Sequence, residues 1–174
     1  MDVERKGIFE FHNNPVTVIG EDIKVGDRAP EFFGYNNDWT WVAALQSTQG
    51  KVRVIGSLPS LSTSVCDRET RRFNQEAADL GDQIVIIMVS MDLPYTQKNW
   101  CAAAGINKVV TLSDAKEAQF GKKYGVLLKE LGIFRRSIFV IDKKDKVVYA
   151  AYMPKNGDEP DYSVVLEAAR KALA

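Results

Sequence analysis

The sequence predicts an α/β fold, a three-layer sandwich around a central mixed sheet. Segments with strand-like and helix-like hydrophobic spacing alternate along the chain. Residues 84–90 (IVIIMVS) form an unbroken apolar run, which is typical of a central strand buried on both faces. Near the C-terminus, two strand-like segments flank a charged turn and add a hairpin to the sheet. The 174 residues, 45% hydrophobic and 26% charged, suit one globular domain spanning 1–174.

The first third of the chain predicts a hairpin, an irregular region and a strand. Residues 8–11 and 16–19 flank an Asn-Asn-Pro turn and predict an N-terminal β-hairpin. Residues 27–50, which include two tryptophans, match no regular pattern. Residues 51–56 alternate into an apolar run and predict a strand, and the Ser/Thr-rich stretch after Pro59 predicts a loop.

The remainder of the chain predicts alternating helices and strands. After Asp67, apolar residues recur at i, i+4 and i+7 and predict an amphipathic helix that stops near Gly81. The further expected elements are a strand at 84–90, a helix from Pro94 to Gly105, a strand at 108–112, a helix at 115–124, strands at 137–141 and 147–152, and a helix after Pro160.

Composition excludes several functional classes. With 23 basic and 23 acidic residues the net charge is zero, so no global positive field attracts nucleic acid or an anionic membrane. The longest uncharged stretch, Val54–Cys66, falls short of the about 20 residues of a membrane span. Because the N-terminus has no apolar signal region, we expect a cytoplasmic protein. Two cysteines and one histidine cannot supply a four-ligand zinc site, and we expect neither metal nor cofactor. A triad enzyme would depend wholly on His12, which lies in a predicted turn.

Cys66 lies between the loop and the predicted helix. A helix N-terminus favours the thiolate, the nucleophilic form of cysteine. Arg68, Arg71 and Arg72 add positive charge nearby, whereas Asp67 and Glu69 oppose it. A reactive thiol and a buried core cysteine are both compatible with this position.

Cys101 is predicted in the last turn of the second helix, beside Trp100 and three alanines, where packing is the simpler interpretation. A bond to Cys66 would close a long loop and constrain the unfolded chain, provided that the Cα atoms lie within about 7 Å. The spacing alone leaves this open.

Residues 59–66 (PSLSTSVC) have the pattern P-x-x-x-T-x-x-C, and a second cysteine ends the segment 91–101. The first motif fits the peroxiredoxin pattern, and with the second segment the sequence resembles the bacterial thiol peroxidases, atypical two-cysteine peroxiredoxins with a thioredoxin-like fold. Further matching blocks are 110–114, 120–126, 136–142 and 159–162. The resemblance extends from Pro59 to the C-terminus and is looser before it, where residues 14–18 keep a family-like hairpin.

The resemblance implies a role for each matching residue around the first cysteine. Cys66 would be the peroxidatic cysteine, which attacks a peroxide and becomes a sulfenic acid. Thr63 would hydrogen-bond to the thiolate and the peroxide, and Pro59 would shape the loop. Arg136 would stabilise the thiolate and the developing charge. We prefer it to Arg135 because it immediately precedes the predicted strand, where the family places its arginine. Since adjacent strand residues face opposite ways, only one of the two should point at Cys66, and we expect Arg135 to be a solvated surface residue.

The resemblance also implies the rest of the cycle. Cys101 would condense with the sulfenic acid, and a thioredoxin-type reductant would restore both thiols. Local unfolding of one or both helices would accompany each cycle. A homodimer is implied by the resemblance alone.

The chain departs from the family pattern at Ser62 and Ser64, where Asp and Pro or Gly are usual, and across residues 39–49. Two alternatives remain at this stage. The first is a non-enzymatic redox sensor or binding module that uses the same disulfide. The second, a thioredoxin-like disulfide reductase, lacks a C-x-x-C motif.

Overall fold

The structure, a computed structural model, describes residues 1–174 and contains eleven β-strands and four α-helices. The strands are β1 Glu4–Phe11, β2 Asn14–Ile19, β3 Phe33–Tyr35, β4 Trp41–Ala43, β5 Val52–Ser57, β6 Ile84–Ser90, β7 Val110–Ser113, β8 Leu127–Leu128, β9 Ile133–Phe134, β10 Ser137–Ile141 and β11 Val147–Tyr152. The helices are α1 Ser64–Ala77, α2 Pro94–Ala104, α3 Gln119–Lys123 and α4 Tyr162–Lys171. None of them is long and apolar enough to cross a membrane.

Seven strands form the central sheet in the order β11-β10-β5-β6-β7-β3-β4. The three inner strands β5, β6 and β7 are parallel, because α1 and α2 carry the chain back between them. The hairpin of β10 and β11 is antiparallel and joins the edge of β5. The sheet is therefore mixed, as the sequence predicts.

Helices α1 and α4 cover one face of the central sheet. Helix α3 and a small four-stranded sheet cover the other face, which completes the three layers. One core joins α1 and α4 to the alternate residues of β5 and β6, such as Val54 and Ile86. The core on the opposite face joins Phe120 of α3 to the intervening residues of β5 and β6, such as Ile55 and Ile87, whose side chains point the other way. The four-stranded sheet β1-β2-β8-β9 begins with the predicted N-terminal hairpin.

Several boundaries differ from the sequence prediction for local reasons. Helix α1 begins at Ser64 rather than near Asp67, because Thr63 caps it. Helix α3 is shorter than the expected 115–124, because Ala118 adopts a left-handed conformation (φ 52°) just before it. The irregular region 27–50 contains the short strands β3 and β4 at the sheet edge and a 3-10 turn.

Candidate active site

The first turn of α1 positions Cys66. The hydroxyl of Thr63 accepts a hydrogen bond from the backbone N–H of Cys66 at 3.2 Å and thereby caps the helix. The buried residues of α1 are Cys66, Glu69, Thr70 and Phe73, the i, i+3, i+4, i+7 stripe that faces the sheet. Cys66 has no exposed surface and is a free thiol. The amphipathic pattern of the helix therefore directs the thiol into the protein.

Arg136 contacts this thiol from the strand side. Its Nη2 donates a hydrogen bond to Cys66 Sγ at 3.2 Å. Arg136 immediately precedes β10, and its neighbour Arg135 points to the other face, where it bonds the Gly125 carbonyl and pairs with Asp22. The alternation predicted for the two arginines is confirmed. The expectation that Arg135 is a solvated surface residue is wrong, since it is 5% exposed and lies over the Tyr152 ring.

Glu69, one turn after Cys66, forms an ion pair with Arg136 Nη1. Both side chains are buried. Burial raises the pKa of Glu69 to about 7, although the charge of Arg136 opposes the rise. Burial lowers the pKa of Arg136, but Glu69 and Cys66 outweigh it and the net shift is upward. Arg136 is therefore a permanent cation held between a sulfur and a carboxyl.

Asn156 fixes the guanidinium from a third side. Its backbone carbonyl accepts from Arg136 Nη2 at 3.0 Å and from Nε at 3.3 Å. Its side-chain oxygen accepts from the backbone N–H of Arg136 at 3.1 Å. These bonds, with Glu69 and Cys66, leave the planar group a single orientation.

The loop before Cys66 is anchored by Asp92. Its carboxylate accepts hydrogen bonds from Ser60 Oγ at 2.8 Å and from the Leu61 N–H at 2.9 Å. Pro59 is buried two residues after the end of β5, where the loop begins. The hydroxyl of Thr63 donates to the Ser60 carbonyl at 3.1 Å, and the bond to the sulfur expected for this residue is not formed. Thr63 instead holds the helix end that carries the thiol.

Cys101 lies in the last turn of α2, as predicted, and is buried. Its Sγ is 3.6 Å from Thr111 Oγ1 on β7. The preceding residue, Trp100, donates its indole N–H to Asp67 Oδ1 at 3.1 Å, so α2 touches the residue after Cys66. The two cysteines are unbonded, and each sulfur has its own neighbour.

The other arginines of α1 are occupied on the surface. Arg71 pairs with Asp67 at 2.8 Å and Arg72 with Glu76 at 3.0 Å. Arg68 lies 3.8 Å from Glu159. The nearby positive charge expected from these residues is thus neutralised locally, and the guanidinium that reaches the sulfur comes from the distant strand.

Sequence reasoning missed Glu69, Asp92 and Asn156 as site residues. Glu69 is three residues after Cys66, so helical spacing could have placed both on one face. Asp92 follows the buried strand β6, a position where polar side chains collect at the ends of parallel strands. Asn156 acts largely through its carbonyl, which no residue-type signal reports.

An arginine in contact with a cysteine favours the thiolate, the form in which cysteine acts as a nucleophile. The Redoxin family model matches residues 24–166. The chain is 47% identical over 162 residues to a thiol peroxidase of Listeria innocua, covering 93% of this chain and 97% of that one. It is 46% identical over 160 residues to a thiol peroxidase of Bacillus subtilis, covering 92% and 95%. The chain belongs to the Redoxin family.

Solved structures agree with this assignment. A peroxiredoxin-like protein from Aquifex aeolicus superposes with a TM-score of 0.86 at 36% identity and covers 98% of both chains. A thiol peroxidase from Chromobacterium violaceum, 20% identical, shares the fold with a TM-score of 0.83 over 95% of this chain and 96% of that one. The fold is thioredoxin-like, as the resemblance implied.

Proposed function

We propose that this protein is a thiol-dependent peroxidase that reduces hydrogen peroxide and organic hydroperoxides. The observation that carries the proposal is the hydrogen bond from Arg136 Nη2 to Cys66 Sγ at 3.2 Å inside the protein. A fixed guanidinium at this distance stabilises a thiolate and the negative charge that develops on a breaking O–O bond. The relatives named thiol peroxidases support the same activity.

In the proposed reaction, the Cys66 thiolate attacks one peroxide oxygen. The S–O bond forms as the O–O bond breaks, the sulfur becomes a sulfenic acid, and the second oxygen leaves as water or an alcohol after protonation. Thr63 keeps the helix end in place, and its hydroxyl, which lies 3.2 Å from the backbone nitrogen of Cys66, would also bond the peroxide. Pro59 shapes the loop. Since Cys66 has no exposed surface, its surroundings must open to admit the substrate.

In the second step, the Cys101 thiol attacks the sulfenic sulfur, releasing water and forming an intramolecular disulfide. Both cysteines lie in helices and contact different groups, so one or both helical segments must unfold locally. A thioredoxin-type reductant then returns both thiols by disulfide exchange.

We also propose a domain organisation, an oligomeric state and a cellular location. We treat residues 1–174 as one domain, because Phe134 of the small sheet packs in the same core as Ile55 of the central sheet. We propose a homodimer from the family resemblance. A cytoplasmic location suits a cycle that must return to the dithiol, since that compartment keeps thiols reduced.

The test is peroxide consumption by the purified protein with a thioredoxin, its reductase and NADPH. Cys66→Ser is expected to abolish turnover. Cys101→Ser is expected to lose thioredoxin-linked turnover but to allow one oxidation of Cys66. Full turnover by Cys66→Ser would refute the assignment. The alternative, a non-enzymatic sensor, predicts oxidation without steady-state turnover and is not favoured by the relatives.

A further inference from the structure

Two groups that can both be negative share one buried cation. The side chains of Cys66 and Glu69 are wholly buried, and the guanidinium of Arg136 bonds both. If both acidic groups ionised, the cluster would carry a net negative charge away from water, which is costly. The cluster is neutral only when exactly one of the two holds a proton.

The surroundings of Glu69 offer no second cation. Glu159 adds negative charge from the segment before α4 and contributes to the upward pKa shift of Glu69. Tyr162, the first residue of α4, lies near enough to feel the charge of Glu69, and its hydroxyl bonds Glu159. Arg68, from the same helix as Glu69, points to Glu159 at 3.8 Å.

The carboxyl group itself has a place for a proton. Its Oε2 is bonded to Arg136, whereas its buried Oε1 has no hydrogen-bond partner among the protein atoms. Burial raises the pKa of Glu69 to about 7, which lies within the working range of a cellular enzyme. A carboxyl with these properties exchanges its proton near neutral pH.

We propose that Glu69 is a positioning residue that acts through Arg136 and holds the proton that Cys66 gives up on becoming a thiolate. The inference rests on the proposed function, in which Cys66 is the reacting thiol. Before reaction the site contains a thiolate, a guanidinium and a protonated Glu69, and its net charge is zero.

The charge balance is preserved through the reaction. The thiolate forms a bond to one peroxide oxygen, the O–O bond breaks, and the sulfur loses two electrons to the peroxide. The departing alkoxide or hydroxide takes up the proton that Glu69 releases and leaves as an alcohol or water, so Glu69 ends as a carboxylate paired with Arg136. The product site contains a neutral sulfenic acid, a guanidinium and a carboxylate, and its net charge is again zero.

The first test follows the ultraviolet absorbance of the thiolate against pH in a Cys101→Ser background, where Cys66 is the only thiol. We expect a broad, two-step titration in this parent. Glu69→Gln removes the competitor for Arg136, so the titration becomes a single step with its midpoint lower by about one pH unit. Glu76→Gln, a surface glutamate of the same helix, is the matched control and should titrate like the parent. Identical titrations of Glu69→Gln and the parent would overturn the inference.

A second test needs no substitution at Glu69. Infrared difference spectra of the same parent at neutral pH, before and after one equivalent of peroxide, should show loss of a protonated carboxyl band and gain of a carboxylate band. Oxidation of Cys66 without that change would overturn the inference while leaving the proposed function intact. Failure of Cys66 to oxidise would count against the proposed function, and the thiolate titration would still decide the role of Glu69.

Discussion

Replacing Arg136 by methionine separates what this residue does for stability from what it does for the thiol. Methionine has a similar length and no charge, so the volume of the side chain is largely kept. The change removes the donor to Cys66 Sγ and leaves Glu69 buried without its cation. It also removes the side-chain bonds to the Asn156 carbonyl.

The expected loss of stability follows from burial. The side chains of Arg136 and Glu69 are 1% and 0% exposed, so the pair is a buried one. Removing the cation from such a buried cluster costs about 3–5 kcal/mol, because the one negative charge that Cys66 and Glu69 share is left uncompensated. At acid pH Glu69 is protonated, so the penalty should shrink. Adding Glu69→Gln to Arg136→Met removes the stranded charge, and the double variant should regain most of the lost stability at pH 8.

The rate of Cys66 oxidation is not expected to recover when the stability does. Neither Arg136→Met nor the double variant places a cation at Cys66, so both should oxidise more slowly by about 100-fold or more. Stopped-flow oxidation of Cys66 by hydrogen peroxide measures the rate, and urea unfolding at pH 8 and pH 5 measures stability. Arg135→Met is the matched control. It removes a buried arginine on the opposite face and should lose stability while oxidising within a few-fold of the parent.

Two outcomes would refute the reasoning. If the double variant recovered both stability and oxidation rate, Arg136 would act only by neutralising Glu69. If Arg136→Met oxidised at the parental rate, the contact with Cys66 Sγ would have no catalytic consequence.

Three further predictions concern separate contacts. Because burial raises the pKa of Glu69 in the folded state to about 7, from 4.5 for an exposed glutamate, this group removes about 3 kcal/mol of stability as pH rises between those values. Urea unfolding of Glu69→Gln across that window should lack this loss; an unchanged slope would contradict it. Tyr95→Ala removes the ring contact of 5.0 Å with Trp39 that ties down the first turn of α2. Because Cys101 lies in α2, a helix that opens more easily should form the disulfide up to about ten-fold faster. Mass spectrometry should then detect less over-oxidised Cys66. Asp92→Asn loses an acceptor for the Leu61 N–H and Ser90 hydroxyl, and should cost about 1–3 kcal/mol in thermal unfolding and slow peroxide oxidation.

Much of the fold was predictable because it depends on local patterns. The apolar run at β6 and the hairpin of β10 and β11 were located closely, since strand burial and turn residues are local in sequence. The helix with Pro94 at its first position ends, as expected, before Gly105 in the left-handed conformation. The region 27–50 was not predictable, because β3 and β4 are three residues long and form only through pairing, β3 with β7 and β4 with β3.

The candidate site was predictable in part. Alternation along the chain implied that only one of Arg135 and Arg136 faces the thiol, the family resemblance pointed to Arg136, and Arg136 is the one that contacts Cys66. The burial of the Arg135 side chain was not predictable, because it depends on contacts with Asp22 and Tyr152 from other parts of the chain.

The sequence by itself determined a mixed α/β sandwich, a thiol near a helix N-terminus and a second thiol one helix later. These follow from periodicity, capping and residue type, which act over a few positions along the chain, whereas Arg136 was indicated only by the family resemblance. Only the tertiary structure decided that Glu69 and Cys66 share one guanidinium, and that Asn156 orients it. Electrostatic coupling depends on distance in space and on exclusion of water, and neither can be read from the positions 66, 69, 136 and 156 until the chain has folded.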